Sequence, residues 1–267
     1  MGIPLSFHTG LMAGMPTADA VKLIRDHGYE MVELNAEIVP WGPAHIHLNT
    51  PRSELQELAK LGPFSALCIH HRDFGAVDSD RRDAATAWTI AMMDRAIDLG
   101  IDIVHVIPAE QADREALHDA LSRGVEAAEK KGLIFALEPI VGRIIGTKKT
   151  AREAISAAPG LKINFDPSHL HPMGDDVTSA VKELYDDIAH VHLKDATGTP
   201  DTFKFVPLGD GEIDLLSMVR VLVQNKYQGA VSIEHESHWF VNDQRTPTQV
   251  LKDCRNYFDD LLRQAAL

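Results

Sequence analysis

The feature that most constrains the fold of this chain is an alternation of short β-like runs with amphipathic helical stretches. Gly28, Gly100 and Gly132 each follow a helical stretch, at the position where a left-handed C-terminal cap is expected. Eight such strand–helix units in 267 residues predict a (β/α)8 barrel, or TIM barrel, within the α/β class. The eight candidate strands are Pro4–His8, Met31–Asn35, Phe64–His70, Asp102–Pro108, Leu133–Pro139, Leu161–Pro167, Ala189–Asp195 and Ala230–His235.

A doubly wound sheet is the main alternative for a chain with this alternation. Such a sheet usually closes with fewer strands and usually has a glycine-rich phosphate-binding turn early in the sequence. The sequence has no such turn, so the barrel is the expected architecture. Because no linker or shift in composition interrupts the pattern, we expect one domain over residues 1–267.

The phase of the strands supports a barrel with a polar mouth. Side chains alternate along a strand, so Val191 and Leu193 should face the helices while His190, His192 and Lys194 face the interior. A barrel without a site would fill these interior positions with Val, Ile and Leu. The inward positions predicted in the same way on other strands are Ser6, His8, Glu33, Asn35, Cys68, His70, His105, Asn164, Asp166, Ser232, Glu234 and Glu236.

Four late strands each place an ionisable side chain at the carboxyl end, namely Glu138, Asp166, His192 and Glu234. Charged groups in apolar strands are costly to bury unless they are paired or bind a metal. Three carboxylates and one imidazole form a ligand set for one divalent cation. We expect Mn²⁺ first, with Mg²⁺, Co²⁺ or Zn²⁺ as alternatives, and a buried ion-pair network without metal as the structural alternative.

Composition and charge narrow the class of protein. The net charge of −13 opposes nucleic-acid binding, which needs a basic surface, and no apolar run approaches the roughly 18 residues of a membrane helix. No signal peptide is evident, and Cys68 and Cys254 are expected to be free thiols. We therefore expect a cytoplasmic protein that acts on a small molecule, without nucleic-acid or membrane partners, and with a homo-oligomer left open.

The four strand ends carry recognisable motifs. They read Leu137-Glu138-Pro139, Asp166-Pro-Ser-His169, His190-Val-His192-Leu-Lys194-Asp195 and a final Ile233-Glu234. In this order and on these strands, they resemble the sugar isomerase/epimerase superfamily, the xylose isomerase-like TIM barrels. The resemblance covers essentially the whole chain. Members of this superfamily include ketose 3-epimerases, hydroxypyruvate isomerases and inosose dehydratases.

The resemblance implies roles for particular residues. Glu138, Asp166, His192 and Glu234 match the metal ligands, Glu138 and Glu234 also match the paired acid and base, and His169 matches a substrate-contacting histidine. The run after His192 departs from the pattern of the ketose epimerases, because it contains lysines and no nearby arginine. The Lys194-Asp195 pair and the later Pro207-Leu-Gly-Asp-Gly211 are more similar to the inosose dehydratase branch.

The chemistry of such a site is proton transfer next to a carbonyl. A divalent metal polarises the carbonyl and stabilises the enediolate, while two carboxylates remove and return the proton. We therefore expect a metal-dependent sugar isomerase or epimerase acting on a small sugar or keto-polyol. The alternative is a metal-dependent lyase or dehydratase on a keto-sugar or inosose. An apurinic endonuclease is disfavoured by the acidic charge, and an inactive sugar-binding barrel by the intact carboxylate pair.

Further residues are candidates for substrate contact. Lys194 could bind a substrate oxygen or pair with Glu236. The other candidates are His8, His70, Glu33 and Trp41, where Glu33 could instead orient a ligand and the histidines could simply be hydrogen-bonded. Trp41 lies in the loop 36–50, which could be a lid or a packed surface loop. Arg143 could contact an acidic or phosphorylated substrate, but an exposed loop arginine is the simpler expectation.

Overall fold

The computed structural model describes residues 2–37, 44–236, 238–240 and 242–267. The strands are β1 Leu5–Phe7, β2 Val32–Asn35, β3 Phe64–Cys68, β4 Ile103–Val106, β5 Ile134–Leu137, β6 Lys162–Phe165, β7 Ile188–Leu193, β8 Asp195–Thr197, β9 Lys204–Val206 and β10 Val231–Ile233. The α-helices are α1 Thr17–Asp26, α2 Arg52–Ala59, α3 Ser79–Leu99, α4 Arg114–Lys131, α5 Lys148–Ala157, α6 Pro167–Leu170, α7 Val177–Leu184, α8 Leu215–Gln224 and α9 Pro247–Ala265. Two short 3₁₀ helices cover Thr9–Met12 and Tyr185–Asp187.

Eight parallel strands form a nearly closed barrel. Their order around the sheet is β1-β10-β7-β6-β5-β4-β3-β2, so each strand pairs with its neighbours in the chain once the β8–β9 hairpin is set aside. A parallel bridge between His8 and Glu33 joins β1 to β2. The predicted (β/α)8 barrel is confirmed, and all eight predicted strands are present.

The outward faces of the strands pack on the helices as predicted. Phe135 and Phe165 are at most 1% exposed, and Val191 and Leu193 are fully buried. Helix α4 approaches β5 closely at Gly124, where an added Cβ would lie 2.5 Å from the Phe135 ring. Glycine is therefore needed there to let the helix cover the aromatic ring, which is among the largest buried apolar groups of the layer.

Helix ends follow their sequence signals. Asp78 and Asp113 cap α3 and α4 by accepting hydrogen bonds from backbone amides, and Gly100 and Gly132 end these helices, each with φ of 71°. No helix in the described part of the chain is long and apolar enough to cross a membrane.

An antiparallel hairpin that the sequence analysis did not predict follows β7. Strands β8 and β9 pair through Asp195 with Val206 and Thr197 with Lys204. The hairpin leaves the barrel directly after Lys194, and its second strand carries Phe205 back to the barrel mouth, beside the cavity described below.

Candidate metal centre and active-site cavity

Four ionisable side chains meet at the carboxyl ends of the strands. Three of them directly follow the last residue of a strand: Glu138 follows β5, Asp166 follows β6 and Glu234 follows β10. The fourth, His192, is the fifth residue of β7. One ligand atom from each lies within 4.8 Å of those of the other three. His192 Nδ1 is 3.5 Å from Glu138 Oε2 and 3.5 Å from Glu234 Oε2, and all four residues are at most 5% exposed.

Two atoms of this cluster are buried without a hydrogen-bond partner among the described residues, namely His192 Nδ1 and Asp166 Oδ2. A buried polar atom without a partner costs free energy, and a cation shared by the cluster would remove that cost. Burial raises the pKa of Asp166, against the opposing charge of His169, so a cation beside this carboxylate would favour its ionised form. The donor set of three carboxylates and one imidazole fits one divalent metal.

Glu33 orients the histidine of this cluster from the other side. Its carboxylate lies 3.0 and 3.1 Å from His192 Nε2, 2.6 Å from His105 Nε2 and 3.1 Å from His190 Nε2. Burial alone would raise the pKa of Glu33, but His192 and His190 outweigh burial and hold this pKa well below its ordinary value. Glu33 is therefore an ionised hydrogen-bond acceptor that leaves Nδ1 of His192 as the nitrogen facing the cluster.

A second chain of polar contacts joins β2, β3 and β4. The two ring nitrogens of His70 have different partners. Nδ1 lies 2.7 Å from Glu37 Oε1, and Nε2 lies 3.0 Å from His105 Nδ1. Burial lowers the pKa of His105 to about 4, whereas Glu37 overcomes burial and raises the pKa of His70. His70 is therefore the donor in both contacts. Its Nε2 also lies 3.6 Å from Glu138 Oε2.

A neighbouring group consists of Cys68, His70 and His105. Like the four-residue cluster, it has one possible ligand atom per residue, all within 4.8 Å of one another. Burial raises the pKa of Cys68 well above its ordinary value, and nearby Glu37 adds to the effect. Cys68 is thus a protonated thiol, a poor metal ligand in that state. Because the two histidines already bond to each other, hydrogen bonding accounts for this group without a metal.

Lys194 lies inside the barrel mouth, as the strand alternation predicted. Its Nζ is 2.7 Å from Glu234 Oε2 and 2.9 Å from Glu236 Oε2, and it lies 4.0 Å from the centroid of the Phe205 ring. Burial opposes the charge, but Glu234 and Glu236 raise the pKa of Lys194 well above its ordinary value. Burial and the charge of Glu234 together raise the pKa of Glu236. The predicted pairing of Lys194 with Glu236 is present, and Lys194 also pairs with Glu234.

The two glutamates of the cluster are ionised at neutral pH. Burial opposes ionisation of Glu234, but Lys194 and His192 lower its pKa to about 2. Burial is likewise outweighed at Glu138, where His192 and a hydrogen bond from His169 hold the pKa well below its ordinary value. The same cluster thus holds two buried, ionised carboxylates.

The predicted substrate histidines occupy different depths. His169 Nε2 is 3.4 Å from Glu138 Oε1, and its ring packs edge-on against Phe205 at 5.3 Å between centroids. His8 is fully buried, and its Nδ1 accepts a hydrogen bond from Gly10. Of the predicted substrate residues, His70, His169 and Lys194 line the cavity. Trp41 lies outside the described residues.

The cluster opens into a cavity of about 780 Å³, within the usual size range of small-molecule sites. Glu138, Glu234 and Glu236 line its inner end, and Phe203, Phe205 and Trp239 form one wall, here called the aromatic wall. This wall separates it from an adjoining cavity of about 810 Å³.

Arg143 also lines the cavity, and the expectation of an exposed loop arginine is wrong. Its side chain is only 15% exposed because it donates to the carbonyl of Pro108 and lies 3.8 Å from Glu110 Oε1. These contacts with the segment after β4 draw the side chain against the cavity wall.

Asp195 has an organising role at the start of the hairpin. Its Oδ2 accepts hydrogen bonds of 3.1 Å from the amides of Gly209 and Gly211, and its Oδ1 accepts one from Ala196. The Lys194-Asp195 pair therefore connects two parts of the mouth. Lys194 reaches the carboxylate cluster, and Asp195 holds the Pro207–Gly211 loop against β8.

A model of the xylose isomerase-like TIM barrel family matches residues 21–259, most of the chain. The chain belongs to this family. Among curated members, UlaE of Shigella flexneri serotype 5b (strain 8401), named an L-ribulose-5-phosphate 3-epimerase, is 25% identical over 276 aligned positions, covering 94% of this chain and 93% of UlaE. SgbU of Escherichia coli (strain K12) is 27% identical over 186 residues, covering 64% of this chain and 65% of SgbU.

Solved structures of this family share the fold at low identity. A structure titled L-ribulose 3-epimerase superposes with a TM-score of 0.78 at 18% identity, covering 100% of this chain and 96% of that chain. The IolI protein with a bound zinc atom gives a TM-score of 0.80 at 18% identity, covering 98% and 99%. The superfamily resemblance read from the strand-end motifs is thus confirmed for this xylose isomerase-like TIM barrel.

Sequence reasoning missed two residues of the mouth. Glu37, a hydrogen-bond partner of His70, continues the inward alternation of Glu33 and Asn35, so extending the strand phase by one step would have found it. Phe205 gives no comparable signal, because its place beside Lys194 depends on the hairpin returning to the barrel.

Proposed function

We propose that this chain is a divalent-metal-dependent sugar epimerase or isomerase that moves a proton on the carbon next to a carbonyl. The names of its relatives support a ketose, and the barrel mouth supports a small molecule. The observation that carries the proposal is the pair of ionised carboxylates. Glu138 Oε2 and Glu234 Oε2 each lie 3.5 Å from the same unpartnered nitrogen, His192 Nδ1, and both residues line the cavity.

Glu138, Asp166, His192 and Glu234 would hold the metal, with Mn²⁺ expected ahead of Mg²⁺, Co²⁺ and Zn²⁺. When bound, such a metal supplies positive charge that polarises the carbonyl and stabilises the negative charge developing on its oxygen. Glu33 keeps the His192 ring oriented through Nε2, so that Nδ1 stays directed at the cluster.

Glu234 and Glu138 divide the proton transfer between them. Lys194, 2.7 Å from Glu234, keeps that carboxylate ionised and ready to accept a proton from carbon. Glu138, once it has taken up a proton from solvent through the cavity that it lines, would deliver that proton to the other face of the substrate, which inverts the centre. Return of the proton to the neighbouring carbon would give an isomer instead. His169 would also donate to a substrate oxygen at the cavity wall.

Deuterium incorporation tests the proposal. Metal-loaded protein is incubated in D₂O with ketoses, L-ribulose and L-ribulose 5-phosphate among them, and with inososes and 3-keto-glycosides. Deuterium next to the carbonyl of a recovered epimer or isomer is the expected result. An elimination product without an epimer would instead make the protein a lyase, and no exchange with any compound would contradict the proposal.

Two variants assign the carboxylates in the same assay. Glu138→Gln and Glu234→Gln each retain an oxygen atom and lose the acid–base function. We expect each to bind metal and to lose exchange. Near-normal exchange in either variant would show that another residue acts on that face.

A further inference from the structure

We infer that the substrate of this site is an uncharged sugar that carries no phosphate group. The inference rests on the proposed function and concerns the end of the substrate remote from the carbonyl. The supporting observation is that, among the residues the structure describes, seven carboxyl-bearing side chains and four lysine or arginine side chains line the cavity, and each of those four cations lies near a carboxylate.

Each arginine that lines the cavity among the described residues lies near a carboxylate. Arg81 NH2 lies 2.7 Å from Asp73 Oδ1, Arg72 Nε lies 3.9 Å from Asp73 Oδ2, and Arg143 NH2 lies 3.8 Å from Glu110 Oε1. A phosphate dianion bound to any of these arginines would lie beside Asp73 or Glu110 and would be repelled by that carboxylate. Sites that bind phosphate instead leave the guanidinium fork or amide donors open to the ligand.

The fourth cation is no better placed for a phosphate. Lys194 is 2% exposed and lies within 2.9 Å of both Glu234 and Glu236, so a dianion there would face two carboxylates and the metal ligands. Lys204 lines the adjoining cavity, beyond the aromatic wall.

The helix terminus at the cavity also carries a carboxylate. Helix α3 begins beside the cavity, and the N-terminus of a helix is a common phosphate site because its first amides lack partners. Here Asp78 lines the cavity and its Oδ1 accepts the amide of Arg81 at 2.9 Å. A carboxylate thus already stands at this helix terminus, and its charge would repel a phosphate there.

What the cavity offers instead is an apolar surface suited to a sugar ring or carbon chain. Phe205 packs edge-on against Phe203 at 5.4 Å and against Trp239 at 5.3 Å between centroids, which makes the aromatic wall continuous. The C–H faces of a neutral sugar pack on aromatic rings, while its hydroxyls reach carboxylate acceptors such as Asp73 and Glu110. Carboxylates accept hydrogen bonds from hydroxyls and repel phosphate.

Matched pairs of ketoses test the inference. Rates of epimerisation are measured for L-ribulose against L-ribulose 5-phosphate, and for D-fructose against D-fructose 6-phosphate. We expect the free sugar of whichever pair is turned over to have a kcat/KM at least about tenfold higher. A higher kcat/KM for the phosphorylated sugar would overturn the inference and leave the proposed function standing. Absence of exchange with all four sugars and with every other compound of the deuterium panel would overturn both.

Variants that neutralise the carboxylates beside the arginines provide a second test. Asp73→Asn and Glu110→Gln should free the arginines and raise kcat/KM for the phosphorylated sugar relative to the free sugar, by about fivefold or more. Asp119→Asn, which removes a surface carboxylate 3.8 Å from Arg123, is the matched control and should leave the ratio unchanged. Lys204→Met tests the adjoining cavity, and loss of phosphate-sugar turnover in that variant would overturn the inference.

Discussion

His192 Nε2 lies 3.0 Å from Glu33 Oε1, which leaves Nδ1 of the same ring 3.5 Å from both Glu138 and Glu234. The buried carboxylate thereby selects which imidazole nitrogen faces the candidate metal centre. Glu33 directly follows Val32 on β2, and its contact with β7 crosses the barrel interior. A residue predicted as a substrate contact is therefore better explained as a positioning residue for the proposed ligand.

Replacement of Glu33 by Gln should weaken metal binding by roughly 10- to 100-fold, because the amide can donate as well as accept and no longer fixes the ring. Calorimetric titration of Mn²⁺ into the metal-free variant measures the effect. Glu57→Gln, at an exposed carboxylate paired with Lys60, is the control and should bind metal as the wild type does. Unchanged affinity in Glu33→Gln would remove the positioning role.

Lys194→Met should slow proton exchange by about ten- to a hundredfold, since one charge-assisted hydrogen bond contributes roughly 1.5–3 kcal/mol. Removing the ammonium should also raise the pKa of Glu234, so the acidic limb of kcat/KM should move to higher pH. Exchange and product formation are followed together by NMR, with Lys182→Met as the surface control. Product formation that falls while exchange survives would instead indicate a lyase, in which Lys194 assists the leaving group.

Local alternation was enough to predict the inward residues of the site, because each of Asp166, His192 and Glu234 follows from its own strand. It could not predict which interior polar groups bond to each other. The contact of Glu33 with His190 and His192 depends on the diameter of the closed barrel. The placement of Phe205 and Arg143 depends on loop conformations, which no strand or helix period encodes.

His45 should contribute a pH-dependent term to stability. Burial and the charge of His8 lower the pKa of His45 to about 4 from an ordinary value of 6.5. The unfolded chain therefore binds more protons between these pH values, so the stabilisation is full above pH 6.5 and is lost as the pH falls towards 4. The loss is at most roughly 3 kcal/mol.

Urea unfolding of the wild type and His45→Gln at several pH values measures this term. The variant should lose less stability between pH 6.5 and 4, because the group that takes up the proton on unfolding is absent. His47→Gln, at an exposed histidine of the same segment, is the matched control. Parallel stability curves for the wild type and His45→Gln would contradict the expectation.

Gly211→Ala should destabilise the packing of the Pro207–Gly211 loop on β8, because the new Cβ would collide with the Asp195 carboxylate and lie 2.8 Å from the carbonyl of Ala196. Overpacking of this kind costs about 1–3 kcal/mol. A double-mutant cycle with Asp195→Ala, followed by urea unfolding, isolates the contact. The cost of Gly211→Ala should shrink when Asp195 is absent, and an unchanged cost would show that the collision lies elsewhere.

The measurement that tests the central claim most directly is anomalous diffraction from crystals of the protein soaked in Mn²⁺. We predict one strong peak at the carboxyl ends of the strands, with His192 Nδ1 and one or more oxygens of Glu138, Asp166 and Glu234 at roughly 2.0–2.3 Å. A peak on Cys68, His70 and His105 instead, or a structure in which two of the four proposed ligands do not touch the metal, would contradict the account.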